Sequence, residues 1–224
     1  VAGVALRRSL GAAARLVYVM TDGAALPAAM SRLLAKMRRA GWFDAVITAG
    51  HAFGGDYEAV GVPSALVAAR TALGADAIVV GMGPGVVGTG TRLGTTALEQ
   101  GPILDAAAAL GGENLAVARV GFADARARHR GLSHHTLTAL NLFAQRPAQV
   151  VLPALTDPES DAALRAQAQS LAPRHRLAWQ PAAEIGPWLA ESGLHITTMG
   201  RTYQQDPAFF AAAAAPALWF AARR

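Results

Sequence analysis

The chain has 224 residues, 53% of them hydrophobic and 16% charged, with a formal net charge of +5 and no cysteine. That hydrophobic fraction excludes a disordered chain, and the missing cysteines exclude disulfides, thiolate metal sites and a cysteine nucleophile. The positive charge is modest, almost wholly arginine with Lys36 as the only lysine, and not interleaved with aromatics, so a nucleic-acid surface is not expected.

No run of about 18 apolar residues appears, so no membrane span is expected. The absence of a signal peptide favours the cytoplasm. The chain begins Val-Ala-Gly-Val without methionine, so an N-terminal segment of a longer protein is expected to precede it.

Leu16-Val-Tyr-Val-Met20 is a compact β-type run ending in Thr21-Asp22-Gly23. A helix is predicted from about Pro27 to Arg39, stopped by Gly41. Ala45-Val-Ile-Thr48 is the next strand and closes on Gly50-His51-Ala-Phe-Gly54-Gly55-Asp56-Tyr-Glu58. A second helix follows over 63–73. The strand Ala77 to Val80 breaks into a loop in which Gly81, Gly83, Gly85, Gly88, Gly90 and Gly94 alternate with four threonines and Arg92. A third helix is opened by Pro102 and reaches Leu110.

Leu115 to Val120 reads as a strand leading to Asp124 and the basic segment Arg126 to Arg130. Ser133 is placed as the N-cap of a helix from His134 to about Phe143. Val150-Val-Leu152 is a short strand, and Asp157-Pro158-Glu159 opens a helix to Leu171. Arg176 to Trp179 and Leu194 to Thr198 are predicted as two more strands, flanking a helix that contains Trp188. The alanine-rich stretch from Phe209 to Ala222 reads as a docking helix. Strands alternating with helices predict an α/β fold: a three-layer αβα arrangement over a mostly parallel, Rossmann-like sheet, in a single domain spanning 1–224.

In this scheme the polar loops gather where parallel sheets bind ligands, beyond the carboxyl ends of the strands. Loop glycines let backbone N–H groups approach an oxyanion closely, so Gly83, Gly85, Gly88, Thr89, Gly90, Thr91 and Arg92 are candidate anion-binding residues. Arg201, in Met199-Gly200-Arg201, is a further one. Asp22, His51, Asp56, Asp124, His129, His134 and His135 are candidate acid–base groups. Each has an ordinary alternative: Asp22-Gly23 as a turn, Asp56 as a helix cap, Asp124 as the partner of nearby arginines. Adjacent helical positions point about 100° apart, so His134 and His135 are not expected to face one ligand. The spacing Gly83-x-Gly85-x-x-Gly88 fits a dinucleotide turn poorly, because Pro84 lacks an N–H and the helix starts late. No Walker lysine is present, and the cofactor and any metal are left open.

Three long motifs, Gly50-His-Ala-Phe-Gly-Gly-Asp56-Tyr-Glu-Ala59, Gly81-Met-Gly-Pro-Gly-Val-Val-Gly-Thr-Gly-Thr91 and His129-Arg-Gly-Leu-Ser-His-His-Thr136, resemble a bacterial family known only as a domain of unknown function. The resemblance implies no activity. The residues themselves point to a protein that binds a small anionic, phosphate- or nucleotide-like ligand, as a hydrolase or transferase. The alternative is a module that senses such a ligand, or contacts another protein, without catalysis. A homo-oligomer is compatible with either.

Overall fold

The computed structural model describes residues 1–224 apart from Asp22, Ala24, Ala25 and Pro84. In chain order the elements are α1 (Ala2–Leu10), β1 (Leu16–Thr21), α2 (Arg32–Arg39), β2 (Ala45–Ala49), β3 (Tyr57–Ala59), α3 (Val62–Val67), β4 (Ala77–Met82), α4 (Gln100–Ala109), β5 (Leu115–Ala116), β6 (Val120–Gly121), β7 (Gly131–Leu132), α5 (His134–Thr138), β8 (Gln149–Pro153), α6 (Pro158–Ala168), β9 (Arg176–Gln180), α7 (Ile185–Glu191) and α8 (Pro207–Ala221). Wider π-type turns continue α3 over Ala68–Ala72 and α5 over Ala139–Phe143.

The fold is α/β and Rossmann-like. Four strands form an all-parallel sheet in the order β3-β2-β1-β4, and β5-β8-β9 form a second parallel sheet. Alternation along β1 sorts its side chains between two cores. Leu16 and Met20 join Val46, Leu34 and Phe43 on one face, while Val17 and Val19 meet Ile47, Ala65 and Ala69 of α3 on the other. Close packing against α1 depends on Gly3, where a Cβ would stand 2.5 Å from the Phe43 ring. Helix α8 belongs to both halves of the molecule. Its Phe210, Ala214 and Leu218 enter the core under β1, and Ala208 and Ala212 enter the one around Val150 and Leu152.

The edges of the two parallel sheets are not joined. β4 on one side, and Asn114, Leu115 and Val117 on the other, line a single open cavity of about 790 Å³. The carboxyl end of β4 opens at this cavity, which is the position expected for a ligand in a sheet of this kind.

Two expectations about strands are corrected. Leu115 to Val120 is not one strand, because Val117–Arg119 leave the sheet; β5 pairs with β8, and β6 pairs antiparallel with β7. Leu194 to Thr198 forms only an isolated bridge from Thr198 to Arg201. Met199 at φ 49° and Gly200 at φ 79° turn the chain back on itself there, so no extended run forms. Leu194 and Ile196 are partly buried against the core, which is why a short apolar run there resembles a strand.

Candidate functional site

The glycine-rich loop leaves β4 and returns through a tight 3₁₀ turn at Thr96–Glu99 into α4. Much of its polarity is spent inside the loop. Thr89 N–H donates to Gly94 O at 2.7 Å, and Thr96 N–H to Val87 O at 2.9 Å. The hydroxyls of Thr89 and Thr91 lie 2.8 Å apart, and Thr91 Oγ1 accepts from Gly94 N–H. Val87 N–H in turn donates to Thr96 Oγ1.

Gly94 is required by this stapling: a Cβ there would lie 2.3 Å from Thr89 Oγ1 and 2.5 Å from Thr91 Oγ1. Gly85 and Gly90 face open space, and Arg92 is exposed at the tip. The loop touches the histidine segment at Gly88, where a Cβ would stand 3.3 Å from His135 Cε1.

That segment is built by a two-stranded hairpin and a cap. β7 pairs with β6, and Ser133 N–H donates to Arg119 O. Ser133 Oγ accepts His135 N–H as the N-cap of α5 and lies 2.8 Å from His129 Nδ1. Thr136 Oγ1 accepts Arg119 N–H, which fixes Arg119 beside the same turn. Gly101, whose Cβ would fall 2.5 Å from the Phe143 carbonyl carbon, seats α4 directly on the π-type continuation of α5.

The three histidines come together, against the expectation that His134 and His135 diverge. Ring centroids are 4.2 Å apart for His134 and His135, and each is 4.9 Å from His129. The physical reason is that helical side chains lean toward the N-terminus. In the first turn both rings therefore reach back to where His129 stands. One ligand atom from each ring lies within 4.8 Å of the others. His129 and His135 are buried, and the Nε2 atoms of His134 and His135 are buried without a hydrogen-bond partner.

Burial, first, and then the positive charges of Arg119 and Arg126 and the two other histidines hold the His129 imidazole down at about 4. His135 is likewise lowered to about 4, by burial and then by His134 and the arginines. His134 shifts in the same direction. All three rings are therefore neutral at pH 7, with lone pairs available.

Asp124 is held as the partner of nearby arginines, one of the two readings open to it. It is 6% exposed and accepts from Arg126 Nε at 2.9 Å, Arg126 N–H at 3.0 Å and Arg119 Nη2 at 3.1 Å. These bonds, led by the Arg126 side chain, hold its carboxyl far below the usual carboxylate range. Arg201 is drawn into the same network, 3.8 Å from Asp124 Oδ2 and 3.4 Å from Asp206 Oδ2. It is thus paired with carboxylates and not held out toward solvent.

Asp56 is also removed from the carboxyl edge. The chain after β2 runs back beside it, and Asp56 Oδ2 accepts Val46 N–H at 2.8 Å, near the start of that strand. Its other oxygen pairs with Arg38. The residue next begins β3 and not a helix, so Asp56 is neither a helix cap nor a neighbour of the histidines. His51 is exposed in the turn after β2. Asp22 lies outside the described residues.

Two residues that the sequence reading did not single out, Arg119 and Glu99, complete the site. Arg119, Thr136 and His135 line the cavity together with Glu99. Glu99 accepts the Thr21 hydroxyl at 2.5 Å, joining the end of β1 to the turn after the glycine loop. Burial and the nearby Glu99 charge push the Tyr18 hydroxyl up to about 12, and that hydroxyl donates to Gly81 O. Neither Arg119 nor Glu99 sits in a recognisable motif. Arg119 could have been suspected only from being a charge inside an otherwise apolar run.

Residues 1–217 match the family model described as "Protein of unknown function (DUF3866)", and the chain belongs to that family. No curated protein and no solved structure matches the chain. Among the described residues no helix is long and apolar enough to cross a membrane.

Proposed function

We infer that this member of the DUF3866 family binds a small anionic ligand, phosphate- or nucleotide-like, beyond the carboxyl end of β4, and acts on it as a hydrolase or transferase. The observation that carries this reading is the joint position of Arg119, Thr136 and His135 on one cavity wall beside Gly88. A guanidinium, a hydroxyl and an imidazole N–H are suited to hold an oxyanion. Charge supports the same reading. Arg119, Arg126 and Arg201 share a network with Asp124 and Asp206, so three positive groups meet two negative ones. Glu99, on the same cavity, is the carboxylate best situated to serve as a base.

A thermal-shift titration with inorganic phosphate, nucleotides and sugar phosphates tests this reading, since a ligand that binds only the native state raises its apparent stability. Stabilisation that Arg119→Ala removes and Arg92→Ala preserves is the expected outcome. Stabilisation by no anion, or dependence on Arg92 alone, would sink it. A non-catalytic sensing role is favoured by one observation: Asp56 and Asp124, two of the three carboxylates suggested by sequence, are both tied up in ion pairs. Release of phosphate from a stabilising ester separates the two, because a sensor binds without turnover.

A further inference from the structure

The molecule contains a histidine that is fully accounted for, His175, and it sets a standard for the others. Its Nδ1 accepts Ala148 N–H at 3.2 Å, and its Nε2 lies 3.0 Å from Leu140 O, so both ring nitrogens of this buried side chain are satisfied. His134 and His135 depart from that standard. Each keeps a buried Nε2 with no partner, although an unpaired buried polar atom is costly. Two such atoms side by side, with a third imidazole within 4.8 Å, call for a shared partner.

We propose that His129, His134 and His135 form a three-imidazole seat for one divalent transition ion, with zinc as the best-fitting member of the class. The donor set selects the ion. Neutral imidazoles suit zinc and its neighbours, whereas magnesium and calcium require oxygen ligands that this turn does not provide. Tetrahedral zinc with Zn–N bonds of about 2.0–2.1 Å sets nitrogen atoms roughly 3.4 Å apart, so small rotations of the rings close the seat.

Ser133 supplies the outer support. It engages His129 Nδ1 at 2.8 Å, which leaves Nε2 of that ring as the ligand atom. Three protein ligands leave a fourth position, and His135 lines the cavity. Imidazole ligands leave the ion's double charge intact. That charge favours an anionic fourth ligand, a hydroxide or an oxyanion. That last step rests on the ligand reading above, while the three-imidazole seat does not.

The test uses tag-free full chain, stripped with a chelator and titrated with Zn²⁺, Co²⁺ and Mg²⁺ by calorimetry and, for cobalt, by visible absorption. The expected result is one zinc per chain, a tetrahedral cobalt spectrum and no magnesium binding. His134→Ala and His135→Ala should each weaken zinc binding by more than about 100-fold, and Ser133→Ala by about tenfold. His195→Ala, at an exposed site outside the turn, should leave it unchanged. Absence of stoichiometric zinc binding by the unaltered chain overturns the proposal without reference to any variant. So does binding that survives both His134→Ala and His135→Ala. Added inorganic phosphate should tighten zinc binding, because coupling is reciprocal. Zinc bound without any phosphate effect supports the seat and counts against the anionic ligand alone.

Discussion

The glycine loop and the histidine turn lie against each other, Gly88 beside His135, and they treat their polar groups in opposite ways. The loop is exposed, yet its threonines and many of its amides bond to one another. The histidine turn is buried, yet it keeps ring nitrogens without partners. Exposure favours self-satisfaction in the first case, since a loop of glycines needs internal bonds to hold any one shape. Burial makes the unpaired nitrogens in the second expensive, so their persistence is the more informative fact. A polar stretch and an available polar group are therefore different things, and here they sit in adjacent segments.

The largest expected effect comes from breaking the closed part of the histidine neighbourhood. Asp124→Asn leaves Arg119 and Arg126 without their carboxylate and should cost about 3 kcal/mol in urea unfolding. The same group predicts a pH dependence. Because the folded pKa of Asp124 is depressed, its contribution is fully present above the ordinary carboxylate value. It is lost as pH falls below about 4 toward the folded value. Urea midpoints measured between pH 5 and pH 2 should fall less steeply in Asp124→Asn than in the parent chain.

Next in size, Gly94→Ala drives a methyl group into the paired threonine hydroxyls and should cost about 2 kcal/mol. Zinc and phosphate binding should nevertheless survive, since the loop's bonds are internal; their loss would show that the loop shape supports the site. Thr91→Val removes one hydroxyl from that staple and should cost about 1 kcal/mol by the same measurement. Arg92→Ala should change stability by less than about 0.5 kcal/mol, as for other exposed positions. A large effect of Arg92→Ala on phosphate binding would return the anion site to the loop tip.

Much of the fold was legible because β1, β2, β4, β8 and β9 are short apolar runs bounded by turn residues. The Ser133 cap was legible too: its hydroxyl accepts the His135 N–H. The parting of β4 from β5 was not, since strand order depends on contacts that no local pattern encodes. In the site, the histidine motif was visible but its convergence was not. The 100° rule describes Cβ directions, whereas long side chains in a first turn can converge by leaning back. The partners of Asp56 and Arg201 were not legible, whereas the pairing of Asp124 with nearby arginines was one of its two readings. Charged residues in loops look available until their partners are known, and Arg38 and Asp206 are distant or unremarkable in sequence. Arg119 and Glu99 were missed because they stand alone, in the apolar run after Leu115 and in the turn before α4.

The three histidines all come from one short turn, residues 129 to 135, closed by Ser133 and the β6–β7 hairpin. Loops of about ten residues close in roughly 10–100 ns, far faster than the long-range strand pairing that builds the two parallel sheets. The rings can therefore meet before the cavity around them exists. An ion that binds them would also find them in partly unfolded chains, so excess metal should raise the melting temperature less than its affinity for the native protein implies.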